Sequence, residues 1–306
     1  MFLKNSGGSL WLRKLERAPP DGGRHAAVER GGRTMRDEIT LGFADIASWE
    51  ECIKLRHHLC STAYIEDLVA HARENGLVSE FLGPVAASEV VVDGTNYRES
   101  LVARGLSSRC RAVLELIAIE PWFRDPAARI YAAEALTPFA LAMRGRFAKF
   151  IGSEYVSTES AREALYPIEF QDLAHLTLLS DCFNCVITND CLEHVPNIPA
   201  CLSEMLRVLQ PGGVMLSTFP FSFRQESETK ARLVSGQIEY LTEPEYHGNP
   251  AEPEKGSLVF QIPGWDILDA AHAAGFAPAE MVFLSSFERA ITGAEIAGVF
   301  VMRCYK

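Results

Sequence analysis

Two carboxylates, Glu134 and Glu154, stand about 20 residues apart, the separation expected across one strand-loop-helix-strand unit. A denser polar group follows in the run Asp181-Cys-Phe-Asn-Cys-Val-Ile-Thr-Asn-Asp-Cys-Leu-Glu-His-Val-Pro196, which carries Asn189, Asp190 and His194. Farther on, Tyr246-His247-Gly248 interrupts a long polar stretch. Imidazole exchanges protons near neutral pH, so His194 and His247 are candidate general bases, with Asp190 and Tyr246 as orienting partners. The plain alternatives stay open: His194 packs or caps its turn, and His247 is an ordinary loop histidine. Cys182 and Cys185 have CxxC spacing, but Phe183 lies between them at the mouth of an apolar strand and no second pair stands at zinc-site distance. They read as core thiols, and no metal site is expected.

The elements that must position these groups begin after an arginine-rich, Gly- and Pro-containing tail over residues 1–40, which has the composition of a disordered basic segment. Met35, directly before the first patterned residues, is a candidate internal start. An accessory region over 41–122 follows. Ile46, Trp49, Ile53, Tyr64, Leu68 and Ala72 recur at helical spacing, predicting two packed helices over about 46–76. Glu89–Val92 and Ser100–Ala103, joined by Asp93-Gly-Thr-Asn96, predict a hairpin, and a helix over 109–119 comes next. The main domain, 123–306, alternates strand and helix, the pattern of a mostly parallel sheet covered on both faces. Its expected strands are 130–133, 149–153, 167–170, 183–188, 214–219, 281–285 and 298–304. Thr137-Pro138 reads as an N-cap with proline at the first helical position, opening a helix over 139–147. The amphipathic stretch 198–209 ends at Gln210-Pro-Gly-Gly213. Residues 221–262 are too long for a plain connection and read as a lid or substrate segment.

The strand, the Leu-Glu-His-Val-Pro turn, the helix Cys201-Leu-Ser-Glu-Met-Leu-Arg-Val-Leu209, Gln-Pro-Gly-Gly-Val-Met-Leu216 and the strand that follows stand in an order that resembles the class I S-adenosylmethionine-dependent methyltransferase family. The resemblance covers about 127–304. It implies a Rossmann-like seven-stranded α/β sheet and S-adenosylmethionine as cofactor. In that reading Glu154 holds the two ribose hydroxyls, a task suited to a carboxylate with two acceptor oxygens. Tyr155 next to it also belongs to the cofactor-binding set, as does Leu173 next to Asp172, whose carboxylate accepts a hydrogen bond from the adenine amino group. Asn189, Asp190 and His194 pass beside the methionine end. As a solvated strand end and a turn residue, Glu154 and Asp172 also have structural readings. The family's first loop is glycine-rich because the backbone must approach the cofactor. Here it reads Ala132-Ala-Glu-Ala-Leu-Thr-Pro-Phe-Ala140, without glycine. Either Glu134, Ala135 and Thr137 cradle the cofactor along another path, or the pocket has closed. The hairpin region is similar to small zinc-ribbon modules, but Gly83–Ala87 and Ala103–Gly105 stand where CxxC pairs would be, and zinc is not expected there.

The implied activity is methyl transfer to a small-molecule or glycan acceptor. The other reading is a catalytically silent methyltransferase-like binding or assembly protein. A net charge of −11 argues against a broad hold on nucleic acid. No apolar run approaches membrane length, and no signal-peptide core precedes a cleavage site, so the expectation is a cytoplasmic protein without a membrane partner. A homo-oligomer is compatible with this reading. Phe219, Phe221 and Phe223 either line an acceptor pocket or belong to the core.

Overall fold

The structure, a computed structural model, describes residues 37–306. Most of the expected tail, and the candidate start at Met35, lie outside the described residues. Residues 38–40 do not belong to a tail, because they open a strand. Eight strands form the central sheet: β1 (Glu38–Phe43), β2 (Arg129–Ala132), β3 (Lys149–Glu154), β4 (Glu169–Phe170), β5 (Phe183–Asn189), β6 (Leu209–Thr218), β7 (Ala279–Ser286) and β8 (Val299–Tyr305). They lie in the order β1-β7-β8-β6-β5-β2-β3-β4. The five strands from β6 to β4 are parallel neighbours, while β8 is antiparallel to β6 and β7, and β1 to β7. The expected seven strands are therefore eight. The additional strand alternates Ile39, Leu41 and Phe43, a period-two signal that adjoins the low-complexity tail.

Local chemistry accounts for the helix boundaries. Asp45 accepts from the Ser48 amide at 2.7 Å and starts α1 (Ile46–Leu55). Next, α2 (Thr62–Asn75) stops at Gly76, whose φ of +75° suits glycine and where a Cβ would lie 2.1 Å from the Val85 carbonyl oxygen. Ser107 caps α3 (Ser108–Ala118), and Thr137 caps α4 (Pro138–Arg146), with proline in its first turn. The short α5 (Glu159–Leu165), α6 (Ile198–Val208) and α7 (Ile267–Ala274) complete the set, α7 ending at left-handed Gly275. Pro211-Gly-Gly213 does not separate helix from strand as the sequence suggests. It bulges out of β6, whose pairing with β5 jumps from Phe183–Leu209 to Cys185–Val214.

Because both faces of the sheet are covered, successive residues of each inner strand enter different cores. Tyr131, Phe183, Val186 and Met215 pack with α1, α2, α6 and α7, while Ile130, Ala132, Cys185 and Leu216 pack with α3 and α4. Thus α3 is a layer of the main fold, and packing does not break at residue 122. Phe221 and Phe223 join Trp265 and Phe300 in an aromatic cluster, which supports the core reading for these rings over a pocket wall. All eight cysteines are free thiols. Among the described residues no helix is long and apolar enough to cross a membrane.

Val90–Val92 pairs with Leu101–Ala103 as expected, with one helical turn, Tyr97–Ser100, in the connection. The two stretches that stand in place of CxxC pairs lie side by side, clasped by Arg104. Its guanidinium donates to the Leu82 and Pro84 carbonyls, each at 3.1 Å, and to both oxygens of Glu89. A second arginine joins this region to the sheet. Arg111 is 1% exposed and donates to the carbonyls of Leu101, Leu106 and Ala290 at 3.0, 2.7 and 2.5 Å. Burial pulls its pKa down to about 10, which leaves it charged at neutral pH. Arg111→Met strands three buried carbonyls and is expected to lower the unfolding free energy by about 3 kcal/mol, at about 1 kcal/mol per lost bond. Urea unfolding measures this, and an unchanged midpoint would refute the fastening role.

Candidate functional site

From β2 the chain moves outward through β3 to β4, then returns to lay β5 on the other side of β2. The crevice beyond the C-terminal ends of β2 and β5 is therefore the topological switch point, where sheets of this kind take ligands. Glu134, just after β2, and Asn189, at the end of β5, meet there. The Asn189 side-chain amide donates to Glu134 Oε1 at 2.5 Å, and the Thr137 hydroxyl donates to Oε2. Burial raises the Glu134 carboxyl above its ordinary value despite both donors.

Glu154, at the end of β3, turns toward the same loop. Its Oε1 accepts from the Ala135 and Leu136 amides at 2.8 and 3.0 Å. The loop settles onto β3 because position 152 is glycine: a Cβ there would lie 2.5 Å from the Glu134 carbonyl oxygen and 3.2 Å from Ala135 Cα. Close backbone approach has thus moved from the loop, which lacks glycine, to its neighbouring strand. Glu154 Oε2 takes no hydrogen bond from the described residues. Beside it, Tyr155 is 57% exposed, its ring 5.5 Å from that of Phe170. Asp172 follows β4 with a half-exposed carboxylate that accepts from the Ala174 amide at 2.9 Å, and Leu173 is buried next to it.

Asp190 sits on a left-handed turn with φ of 50°. Its carboxylate is gripped by Arg98 at 2.7 and 2.9 Å, approached by Arg109 at 3.2 Å and bonded by the Thr218 hydroxyl at 3.1 Å. Glu99 joins the two guanidiniums at 2.5 and 2.8 Å. Burial pushes the Asp190 pKa up, but Arg109 and Arg98 overcome it and hold the group well below the usual carboxylate range. Sequence reasoning missed Arg98, Glu99 and Arg109, which come from the accessory region and have no motif around them. It follows that Asp190 does not orient an imidazole.

The two histidines do come together, their rings 5.1 Å apart and nearly perpendicular. His194 Nδ1 lies 2.9 Å from the Leu258 carbonyl oxygen, and its Nε2 is 3.6 Å from Glu193 Oε1. His247 Nε2 is 3.3 Å from Glu245 Oε1, and its Nδ1 is 3.7 Å from Glu193 Oε1. Glu193 and Glu245 raise the His247 pKa against the effect of burial. Every nitrogen of both rings faces an acceptor of the protein itself. With one nitrogen turned to an outer acceptor and the other toward the buried Glu193, neither ring is set as the general base expected of His194 and His247. Residues 221–262 lie over this cluster through short hairpins, and the Phe260 amide donates to the Glu193 carbonyl at 2.8 Å.

A groove of about 520 Å³ lined by Glu120, Trp122, Asn184, Gln210 and Tyr305 opens at the other, N-terminal end of β5 and β6, away from this chemistry.

Topology and switch point define a Rossmann-like α/β protein. Residues 139–217 match the family model described as a methyltransferase domain. No curated protein matches the chain by sequence. Among solved structures, it is similar to an S-adenosylmethionine-dependent methyltransferase from Mesorhizobium loti, with 15% identity and a TM-score of 0.41 over 62% of this chain and 95% of that one. Another is phosphoethanolamine N-methyltransferase 2 of Haemonchus contortus in complex with S-adenosyl-L-methionine, at 11% identity and 0.38, covering 65% of this chain and 52% of that one. A Thermotoga maritima methyltransferase described as a possible histamine N-methyltransferase shows 18% identity and 0.38, covering 65% and 88%.

The ion network gives a pH prediction. A carboxylate whose folded pKa is depressed adds stability above its unfolded pKa of about 3.9 and loses it only as pH falls toward the folded value. Asp190→Asn is therefore expected to cost about 2–3 kcal/mol at pH 7, between exposed and fully buried pairs. The deficit persists at pH 5 and shrinks below about pH 4. Denaturant unfolding of both proteins across this range tests it, and equal stabilities at pH 7 would contradict it.

Proposed function

We propose that the chain binds S-adenosylmethionine across the C-terminal edge of β3 and β4 and transfers its methyl group to a small-molecule or glycan acceptor. The observation that carries this reading is the set of groups left open there. Glu154 Oε2 is unbonded, the Asp172 carboxylate is half-exposed with its second oxygen 3.4 Å from the exposed His175 Nδ1, and the Tyr155 ring is exposed. These fit an adenosine: an acceptor oxygen for a ribose diol, a carboxylate for an exocyclic amino group and an aromatic face for the base. Leu173 supplies an apolar floor. Toward the methionine end, Glu134 and Asn189 define the crevice wall, Ala135 and Thr137 lie on its loop, and Asp190 presents its charge already neutralised by arginine.

The cofactor, once bound, supplies a methyl group activated by a sulfonium. Displacement at such a carbon is governed by distance and alignment, so the chain's contribution is positioning and exclusion of water. The 221–262 segment supplies the cover, pegged to the β5 loop by the Phe260–Glu193 backbone bond and to the loop after β3 by Glu252 and Lys255, which meet Ser157 at 2.9 and 2.7 Å. An acidic surface and a closed cover favour a compact acceptor over a nucleic acid.

One observation favours the silent binding protein as second reading: the amides of the first loop are already satisfied by Glu154 Oε1 and unavailable to a ligand. Calorimetric titration with S-adenosylmethionine and S-adenosylhomocysteine separates the two. The enzyme reading expects micromolar binding, weakened about tenfold or more by Asp172→Ala or Glu154→Ala, through loss of a charged hydrogen bond. Asp172→Ala is the cleaner variant, because its side chain supports no distant element. Failure of the folded wild-type chain to bind either ligand would leave the silent reading.

A further inference from the structure

Glu193 is the least ordinary side chain outside the adenosine-facing groups. It is fully buried, at 0% exposure, yet neither carboxylate oxygen has a hydrogen-bond partner. Buried carboxylates persist when they are hydrogen-bonded, paired or ligated to a metal. His194 Nε2 at 3.6 Å and His247 Nδ1 at 3.7 Å face one of these oxygens from beyond hydrogen-bond length. Three ligand atoms, one from each residue, lie within 4.8 Å of one another.

The far side of each ring explains why these nitrogens can act as donors to a metal. His194 Nδ1 faces the Leu258 carbonyl, which only accepts, so that nitrogen carries the proton and Nε2 presents a lone pair inward. His247 Nε2 faces the Glu245 carboxylate, itself held by Lys230 at 3.2 Å, which leaves Nδ1 inward. A metal-bound histidine is oriented in this way, by an acceptor behind the ring. With both rings neutral, two lone pairs and a carboxylate oxygen converge on a common space that a cation would fill.

We propose that Glu193, His194 and His247 form a binding site for a first-row divalent metal ion of the Zn²⁺ type. Two imidazoles and one carboxylate suit this class better than Mg²⁺ or Ca²⁺, which prefer all-oxygen shells, and they leave a coordination position open. The site joins two segments: Glu193 and His194 lie on the loop after β5, and His247 lies on the Tyr246–His247 and Ser257–Leu258 hairpin of the cover. The bound ion fastens that cover over the crevice. This goes beyond the methyl-transfer reading and does not depend on it, since the ligands are separate from the adenosine-facing groups.

The test is direct titration of the untagged, chelator-treated chain with Zn²⁺, Mn²⁺ and Mg²⁺ in the absence of S-adenosylmethionine. About one equivalent of Zn²⁺ is expected, bound more tightly than Mg²⁺. His247→Asn, a change on a surface hairpin, should weaken Zn²⁺ at least about tenfold, and so should Glu193→Gln, with circular dichroism verifying its fold. Glu245→Gln removes no ligand and should weaken it about 10- to 100-fold through loss of ring orientation. Absence of Zn²⁺ binding to the folded wild-type chain, or equal binding by His247→Asn, would overturn the site.

Discussion

Asp190 is a carboxylate on a strained left-handed turn at the mouth of a buried strand, and its charge is tolerable there because two guanidinium groups meet it. Both come from the accessory region, Arg98 from a single helical turn and Arg109 from the start of α3. The demand for charge neutrality therefore draws that region onto the C-terminal end of the parallel strands. Thr218 and the Phe219 carbonyl complete the grip, which ties the ends of β5 and β6 to the same point. Removing the accessory region would expose an uncompensated carboxylate beside the crevice as well as one face of the core.

The crevice itself shows how a close backbone approach can survive the loss of its usual residue. In place of glycines in the loop there is one glycine beneath it, Gly152, and the loop folds down onto that strand. Two loop amides would then be buried, and Glu154 Oε1 satisfies both. The result is a rigid loop whose remaining chemistry faces β4 through Glu154 Oε2, Tyr155 and Asp172. Rigidity of this kind lowers the ordering cost of binding but narrows the shapes that can enter.

Much of this was legible along the chain because it is encoded locally. Thr137-Pro138 marks a helix start, Gly275 a helix end, and the 198–209 stripe an amphipathic face, each visible within one or two turns. The Val90–Val92 and Leu101–Ala103 hairpin follows from its β-branched runs and central turn. The cover also held a readable signal: Ser235-Gly236, both at positive φ, close a two-residue hairpin between Ala231–Val234 and Gln237–Tyr240. Long-range partners were not legible. Arg98 and Asp190 are 92 residues apart, and nothing in Tyr97-Arg-Glu-Ser100 distinguishes a buried ion pair from a solvated helical turn. Glu193 looks like any acidic neighbour of a loop histidine, and only the fold shows that it points inward with bare oxygens. Arg104 and Arg111 likewise act on carbonyls, which leave no sequence mark.

The outer edge of the sheet has a consequence in time. β1 is among the first described segments to be synthesised, yet it pairs with β7, and Glu38 bonds the Glu288 amide 250 residues later. At about 5–20 residues per second, a ribosome takes tens of seconds to bring that partner out. Throughout that interval the nascent chain carries an apolar strand with nothing to pair with, a state that invites contact with other chains. Completion of this sheet is thus a late, non-local closure, made only after β7 has emerged.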